Sequence, residues 1–145
     1  MSDRPPPSSP PSRWPYHIAG AIVLAIIVVI GLWTKMGYDG WGKAWVNDFS
    51  GDILYEMAWI LFFGLIWPRF SSAKLAWGVF LVTCLIEFSQ LIPFPPDLKS
   101  NLLWRLLMGT TFVWWDFPHY ALGSVIGWGI LQGLRDRFLY PQLTE

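Results

Sequence analysis

Charge is scarce in this sequence. Only 14% of its 145 residues are Asp, Glu, Lys or Arg, against roughly 25% in a soluble domain. That shortage excludes an ordinary water-facing surface wrapped around one soluble core. Formal net charge is zero, so the basic footprint of a nucleic-acid-binding protein is missing. Cysteine is scarcer still. Cys84 stands alone, which excludes an intrachain disulfide and a cysteine-rich metal centre. It lies inside an apolar run and reads as a small packing residue. Catalytic signatures are also lacking: there is no Ser–His–Asp order, phosphate loop or metalloprotease motif. His17 and His119 lie far apart in depth, and no His, Cys and carboxylate spacing matches a known metal-ligand set. If a haem or pigment were bound, these two histidines would be its candidate ligands.

What the chain has instead is apolar and aromatic surface. Hydrophobic residues make up 54%, aromatic residues 18%, and mean hydropathy is +0.40. Several apolar runs approach the length of a membrane span. Together these predict a single integral membrane domain over 14–145, behind a Pro/Ser-rich tail over 1–13 that has no apolar core to join. Eleven tryptophans suit membrane interfaces, and equally suit contacts with lipids, pigments or neighbouring subunits.

The first predicted span covers 16–33. It is rather long for a signal-peptide core, and no small-x-small cleavage site follows before Trp33. The stretch 34–51, with Gly37, Gly40, Gly42, Trp41 and Trp45, is expected as an interfacial loop. Span two is predicted from 52 to 67 and stops at Pro68. A short basic turn over 68–74 joins it to span three, predicted over 75–93. Residues 98–111, with Lys99 and Arg105 among leucines, are too short and too charged to span. They read as a re-entrant or interfacial helix. Span four is predicted over 112–134. Its Gly123-x-x-x-Gly127 spacing permits close helix–helix packing. The expected fold is therefore all-α: a four-helix membrane bundle with one short helix between spans three and four.

Lys and Arg set the topology. Arg4, Arg13, Arg69, Lys74, Arg135 and Arg137 fall on one side, and Lys35, Lys43, Lys99 and Arg105 on the other. The bias puts both termini in the cytoplasm. That turns scattered acids into a cluster near the outer ends of the spans: Asp52, Glu56, Glu87, Gln90, Asp116 and Tyr120, with Lys99 above them. Glu87 and Gln90 share a helix face three residues apart. A carboxylate in a span is expensive and needs a partner or a purpose. The cluster is either a clamp that fixes helix register or a proton, ion or headgroup site. A proton or ion pathway is the weaker form of the second reading, because the inner halves of the spans offer no relay of ionisable groups.

These residues carry a family likeness. Ile86-Glu87-Phe88-Ser89-Gln90-Leu91, then Lys99, Phe112-x-Trp114-x-Asp116 and Tyr120-x-x-Gly123 resemble a family of small bacterial membrane proteins of unknown function. That family is distantly VanZ-like, sharing a Glu-x-x-Gln motif and a later intramembrane Asp. The resemblance implies a four-helix membrane fold and no established reaction. Lys99 stands where an arginine is expected, and a lysine offers a point charge in place of a bidentate clamp. Small size, the lack of a catalytic set and the aromatic surface point to a non-catalytic accessory subunit of a larger photosynthetic or respiratory membrane complex. The expected location is a bacterial inner or photosynthetic membrane, with lipids and other subunits as partners. Bound lipids are expected, pigment is a further candidate, and no catalytic cofactor is. The alternative is an enzyme or transporter that handles a lipid or small amphiphile through the carboxylate cluster.

Overall fold

Pro15 and Pro68 punctuate the first half of the chain, and the helices begin and end accordingly. The computed structural model describes residues 13–92, 103 and 111–140. Helix α1, Trp14–Met36, takes Pro15 in its first turn, where a missing N–H costs nothing. It ends at Gly37, whose N–H donates to the Trp33 carbonyl at 2.8 Å. Gly42 follows with φ of +72°, the one left-handed residue among those described. A side chain is disfavoured there, so this glycine is the point where the chain can turn.

Helix then resumes nine residues earlier than 52, where the second span was expected to begin. Helix α2, Lys43–Trp45, runs into a π-helical stretch, Val46–Ser50, and then into α3, Gly51–Ile66. After Gly42 no strong helix breaker occurs before Pro68, which explains the early start. The π stretch widens the helix by one residue just ahead of Asp52, a local irregularity of the kind that often marks functional sites.

Helix α4, Ser72–Ser89, begins after Ser71 turns extended. It ends four residues before Pro93, so Glu87 sits in its last turn and less deep than the span to 93 implies. Helix α5, Asp116–Phe138, starts four residues later than expected. Pro118 falls in its first turn, Asp116 suits the positive end of the helix dipole, and Arg135 and Arg137 suit the negative end. The tail over 1–12, the predicted short helix over 98–111, and with them Lys99 and Arg105, lie outside the described residues.

The described residues are all-helical, with five α-helices and no strand. Helix α3 packs against α1, α4 and α5, and α5 also packs against α4. Ile60, Leu61, Leu131 and Tyr16 are fully shielded at the centre. The closest approach is between α3 and α5. A Cβ on Gly123 would stand 2.7 Å from the Ile53 carbonyl oxygen, and one on Gly127 3.2 Å from the Met57 Cα. Leu131 in turn fills the notch left by Gly64.

Two polar side chains close the opposite end of the molecule. Gly64 is followed four residues later by Pro68, which has no N–H to give it. The Tyr16 hydroxyl donates to that carbonyl at 2.8 Å, tying α1 to α3. Arg135, only 4% exposed, reaches from α5 to the turn after α3. Its guanidinium donates to the carbonyls of Phe70 and Trp67 and to the Ser72 hydroxyl. Ser72 passes its own proton to Gln132 at 2.8 Å. Thus a residue expected only as a charge beyond span four serves as a cap for the α3–α4 turn.

Two helices, α1 and α4, are long and apolar enough to cross a membrane. Helix α3, with 16 residues, is shorter than either. Helix α5 has 23, but its apolar run is diluted by four glycines, His119, Gln132 and its charged ends.

Candidate functional site

Glu87 lies where α4 ends, and its carboxylate is held from two directions. Oε1 accepts the Val113 backbone N–H at 2.8 Å. Oε2 accepts the Gln90 side-chain amide at 2.8 Å and the Tyr120 hydroxyl at 3.3 Å. Gln90 reaches back because it stands three residues on, one helical turn away. Tyr120 faces Glu87 because it belongs to the buried stripe of α5 that continues through Gly123, Ser124, Gly127 and Leu131. Glu87 is 1% exposed. Over it lies an aromatic collar: Phe88 contacts Phe112 and Phe117 with ring centroids 5.9 and 5.2 Å apart, and Trp114 packs on Phe112 at 5.2 Å.

Asp52 and Asp116 meet beside this hub, their carboxyl groups within hydrogen-bonding reach of each other. Lys35, at the end of α1, lies near enough to act on Asp52, while its ammonium donates to the Asn47 carbonyl at 3.2 Å. His119 is turned away from the acids. Its ring stacks on Phe49 at 4.4 Å and its Nδ1 pairs with the Trp115 carbonyl oxygen at 2.5 Å.

Glu56 faces a different layer from Asp52, although the two are one turn apart on α3. It is 0% exposed. The Ser124 hydroxyl donates to its Oε1 at 2.7 Å, and its Oε2 has no partner. The Thr83 hydroxyl lies beside it from α4, with its proton directed to the Val79 and Phe80 carbonyls. Four more buried oxygens or nitrogens at this end and the other lack partners in the same way. They are Asn47 Oδ1, Asp52 Oδ2 and Gln90 Oε1 near the hub, with Arg135 Nε at the far end as a fourth.

The structure therefore sorts the expected cluster into two layers. Asp52, Glu87, Gln90, Asp116 and Tyr120 gather at one end of the described helices, and Glu56 lies below them. Lys99, expected above, is outside the described residues. Gly123 and Gly127 sit on the α3 contact. Sequence reasoning missed Ser124 as the partner of Glu56 and Val113 as a donor to Glu87. The signal for Ser124 was its place in the small-residue stripe of α5; a backbone donor such as Val113 leaves no trace in side-chain identity. Among the described residues no group of three or more His, Cys, Asp or Glu is placed to hold a metal ion.

A family model described as a protein of unknown function (DUF2809) matches residues 41–124. That range takes in Asp52, Glu56, Glu87, Asp116 and Ser124, and brings no VanZ-like relation with it. No curated protein and no solved structure matches the chain.

Proposed function

The chain belongs to the family of proteins of unknown function DUF2809, and from its polar core we propose that it is a multi-pass membrane protein acting as a non-catalytic accessory subunit of a larger membrane complex. The observation that carries the non-catalytic part is the closure of Glu87. Val113, Gln90 and Tyr120 occupy its oxygens from within the chain, and it is shut away from any substrate. A carboxylate so enclosed holds α4, α5 and the turn before α5 in one register.

The membrane part is supported by an inversion of the usual pattern. Helix α4 buries Ser72, Thr83 and Glu87 beside Leu75, Ala76 and Val79 while exposing Trp77, Leu81, Val82 and Leu85. Helix α5 buries glycines, Ser124 and Arg135 while exposing Leu122, Val125, Ile126 and Trp128. Polar and small residues inside with large apolar residues outside is how helices pack in lipid, and so large an apolar surface needs a nonpolar surrounding. The proposed arrangement has four spans: α1, the continuous helix over 43–66, α4 and α5, with both termini cytoplasmic. Lipids, and neighbouring subunits where tryptophans are exposed, would cover it. The likeness to VanZ-like proteins rests on the Glu-x-x-Gln pair and Asp116 alone. Purification of the native membrane in mild detergent tests the role: the chain should migrate with a large complex, and recovery only as a free monomer would sink the proposal.

A second reading, an enzyme or transporter for a lipid or small amphiphile, is favoured by the unpartnered oxygens of Asp52 and Glu56. It expects Glu87→Gln to keep the fold and abolish activity. Full function in that variant would leave the cluster as a register device.

A further inference from the structure

Glu56 is the one fully buried carboxylate that the register role does not use. The Ser124 hydroxyl donates to its Oε1 at 2.7 Å, and the Thr83 hydroxyl stands within hydrogen-bonding reach of the same carboxyl group. The proton of Ser124 is used by that bond, and the proton of Thr83 is shared among the carboxyl group and the Val79 and Phe80 carbonyls of its own helix. Each hydroxyl oxygen still keeps lone pairs of its own, open to a third group in this layer. Cys84, the next residue of α4 and close enough to be influenced by Glu56, adds only a weak S–H donor. Glu56 Oε2 has no hydrogen-bond partner, while two hydroxyl oxygens stand beside the same carboxyl group.

A buried carboxyl group without full compensation either takes up a proton or holds a counter-charge. Apolar residues of similar volume would pack this layer at no such cost. A small cation satisfies the geometry where another donor does not, because it is attracted to lone pairs from every side at once. The ligand set of carboxylate and hydroxyl oxygens is a hard one. With one carboxylate and no neighbouring His or Asp group, it balances a single positive charge.

We propose that Glu56, Thr83 and Ser124 form a site for a small monovalent metal cation, of which sodium is the natural candidate, held between α3, α4 and α5. The bound ion links three helices through oxygen ligands and so adds to stability. This goes beyond the accessory-subunit reading and does not depend on it, since co-migration tests that reading and ion binding tests this one.

The test is thermal unfolding of the full-length chain in detergent micelles, followed by tryptophan fluorescence. Chloride salts of sodium, methylammonium and N-methylglucamine are compared at equal ionic strength. A cation that binds only the folded state raises the midpoint with concentration. Sodium should raise Tm by about 3 °C or more over N-methylglucamine, saturably. The rise should vanish in Glu56→Gln and shrink in Thr83→Val, which keeps the shape and removes the hydroxyl. If Glu56→Gln does not fold, Thr83→Val and Ser124→Ala carry the comparison. Equal midpoints in sodium and N-methylglucamine for the native chain overturn the proposal. So does a sodium shift that survives in Glu56→Gln, or in both hydroxyl variants undiminished. A shift with methylammonium and none with sodium overturns the metal-ion assignment in favour of an amine group.

Discussion

Three donors end on one carboxylate at Glu87, and removing the acceptor strands all of them. In Glu87→Ala the Val113 N–H, the Gln90 amide and the Tyr120 hydroxyl lose their partner. Leaving buried polar groups unpaired costs about 3–5 kcal/mol when the network is broken from one side. Thermal unfolding in detergent should show that loss. Glu87→Gln keeps one acceptor oxygen and the side-chain shape, and should cost less than half as much. The glycines of α5 make a second comparison at this scale. An added methyl at Gly123 meets the Ile53 carbonyl and the Glu56 Cβ, at 2.7 and 2.8 Å. Backbone cannot step aside as a flexible side chain can, so Gly123→Ala should destabilise by about 1–3 kcal/mol. Gly129 has nothing within 4 Å of the same methyl. Gly129→Ala should leave stability unchanged or raise it by up to about 1 kcal/mol, through helix propensity alone. Equal behaviour of the two alanine variants would place the α3–α5 contact elsewhere.

At the scale of elements, the turn between α3 and α4 is held by a residue from α5. Arg135 presents a fork of donors to two carbonyls and a hydroxyl, and lysine is a point charge that cannot span them. Arg135→Lys should therefore loosen the turn by about 1–3 kcal/mol while keeping the charge. Amide hydrogen exchange is the readout: protection should fall around 67–75 and stay unchanged in the first half of α1. Little of this was legible in the sequence. Arg135 counted there as a topology marker, because two of its three acceptors are main-chain oxygens and all lie over 60 residues away. The same limit hid Tyr16, whose acceptor is the Gly64 carbonyl that Pro68 leaves without a donor. The apolar runs of α1 and α4 were legible, since both run long without a breaker. The start of the second helix was not. Gly37, Gly40 and Gly42 with their neighbouring tryptophans read as one long loop, yet only Gly42 takes the left-handed conformation that stops helix on its N-terminal side. As for the acids, their shared end of the molecule followed from topology. Their division into an upper layer around Glu87 and a lower one at Glu56 depends on which way α3 is rotated, and that is set by how the small residues of α5 let it approach.

For the whole molecule, the proposed four-span topology has a consequence that one chemical probe can read. Cys84 is the single cysteine, so Cys84→Ser gives a cysteine-free background in which new thiols report on their own side of the membrane. The segment before α2 and the turn between α3 and α4 lie at opposite ends of α3. Trp41 is exposed in the first and Arg69 in the second. The helix over 43–66 that separates them rises about 36 Å at 1.5 Å per residue, enough to cross the hydrocarbon core of about 30 Å. If that helix spans, Trp41→Cys and Arg69→Cys must face different compartments. The excess of Lys and Arg assigns Arg69 to the cytoplasm. In intact cells a membrane-impermeant maleimide should label Trp41→Cys and spare Arg69→Cys, and permeabilised cells should label both. Labelling of both in intact cells, or of neither, means that α3 does not cross. In that event α1 and α4 alone would span, and the acids of α3 and α5 would lie in a headgroup layer. The enclosure of Glu87 and Glu56 argues against that outcome. Carboxylates bordering water have no need of partners drawn from the end of α4, the turn before α5 and α5 itself.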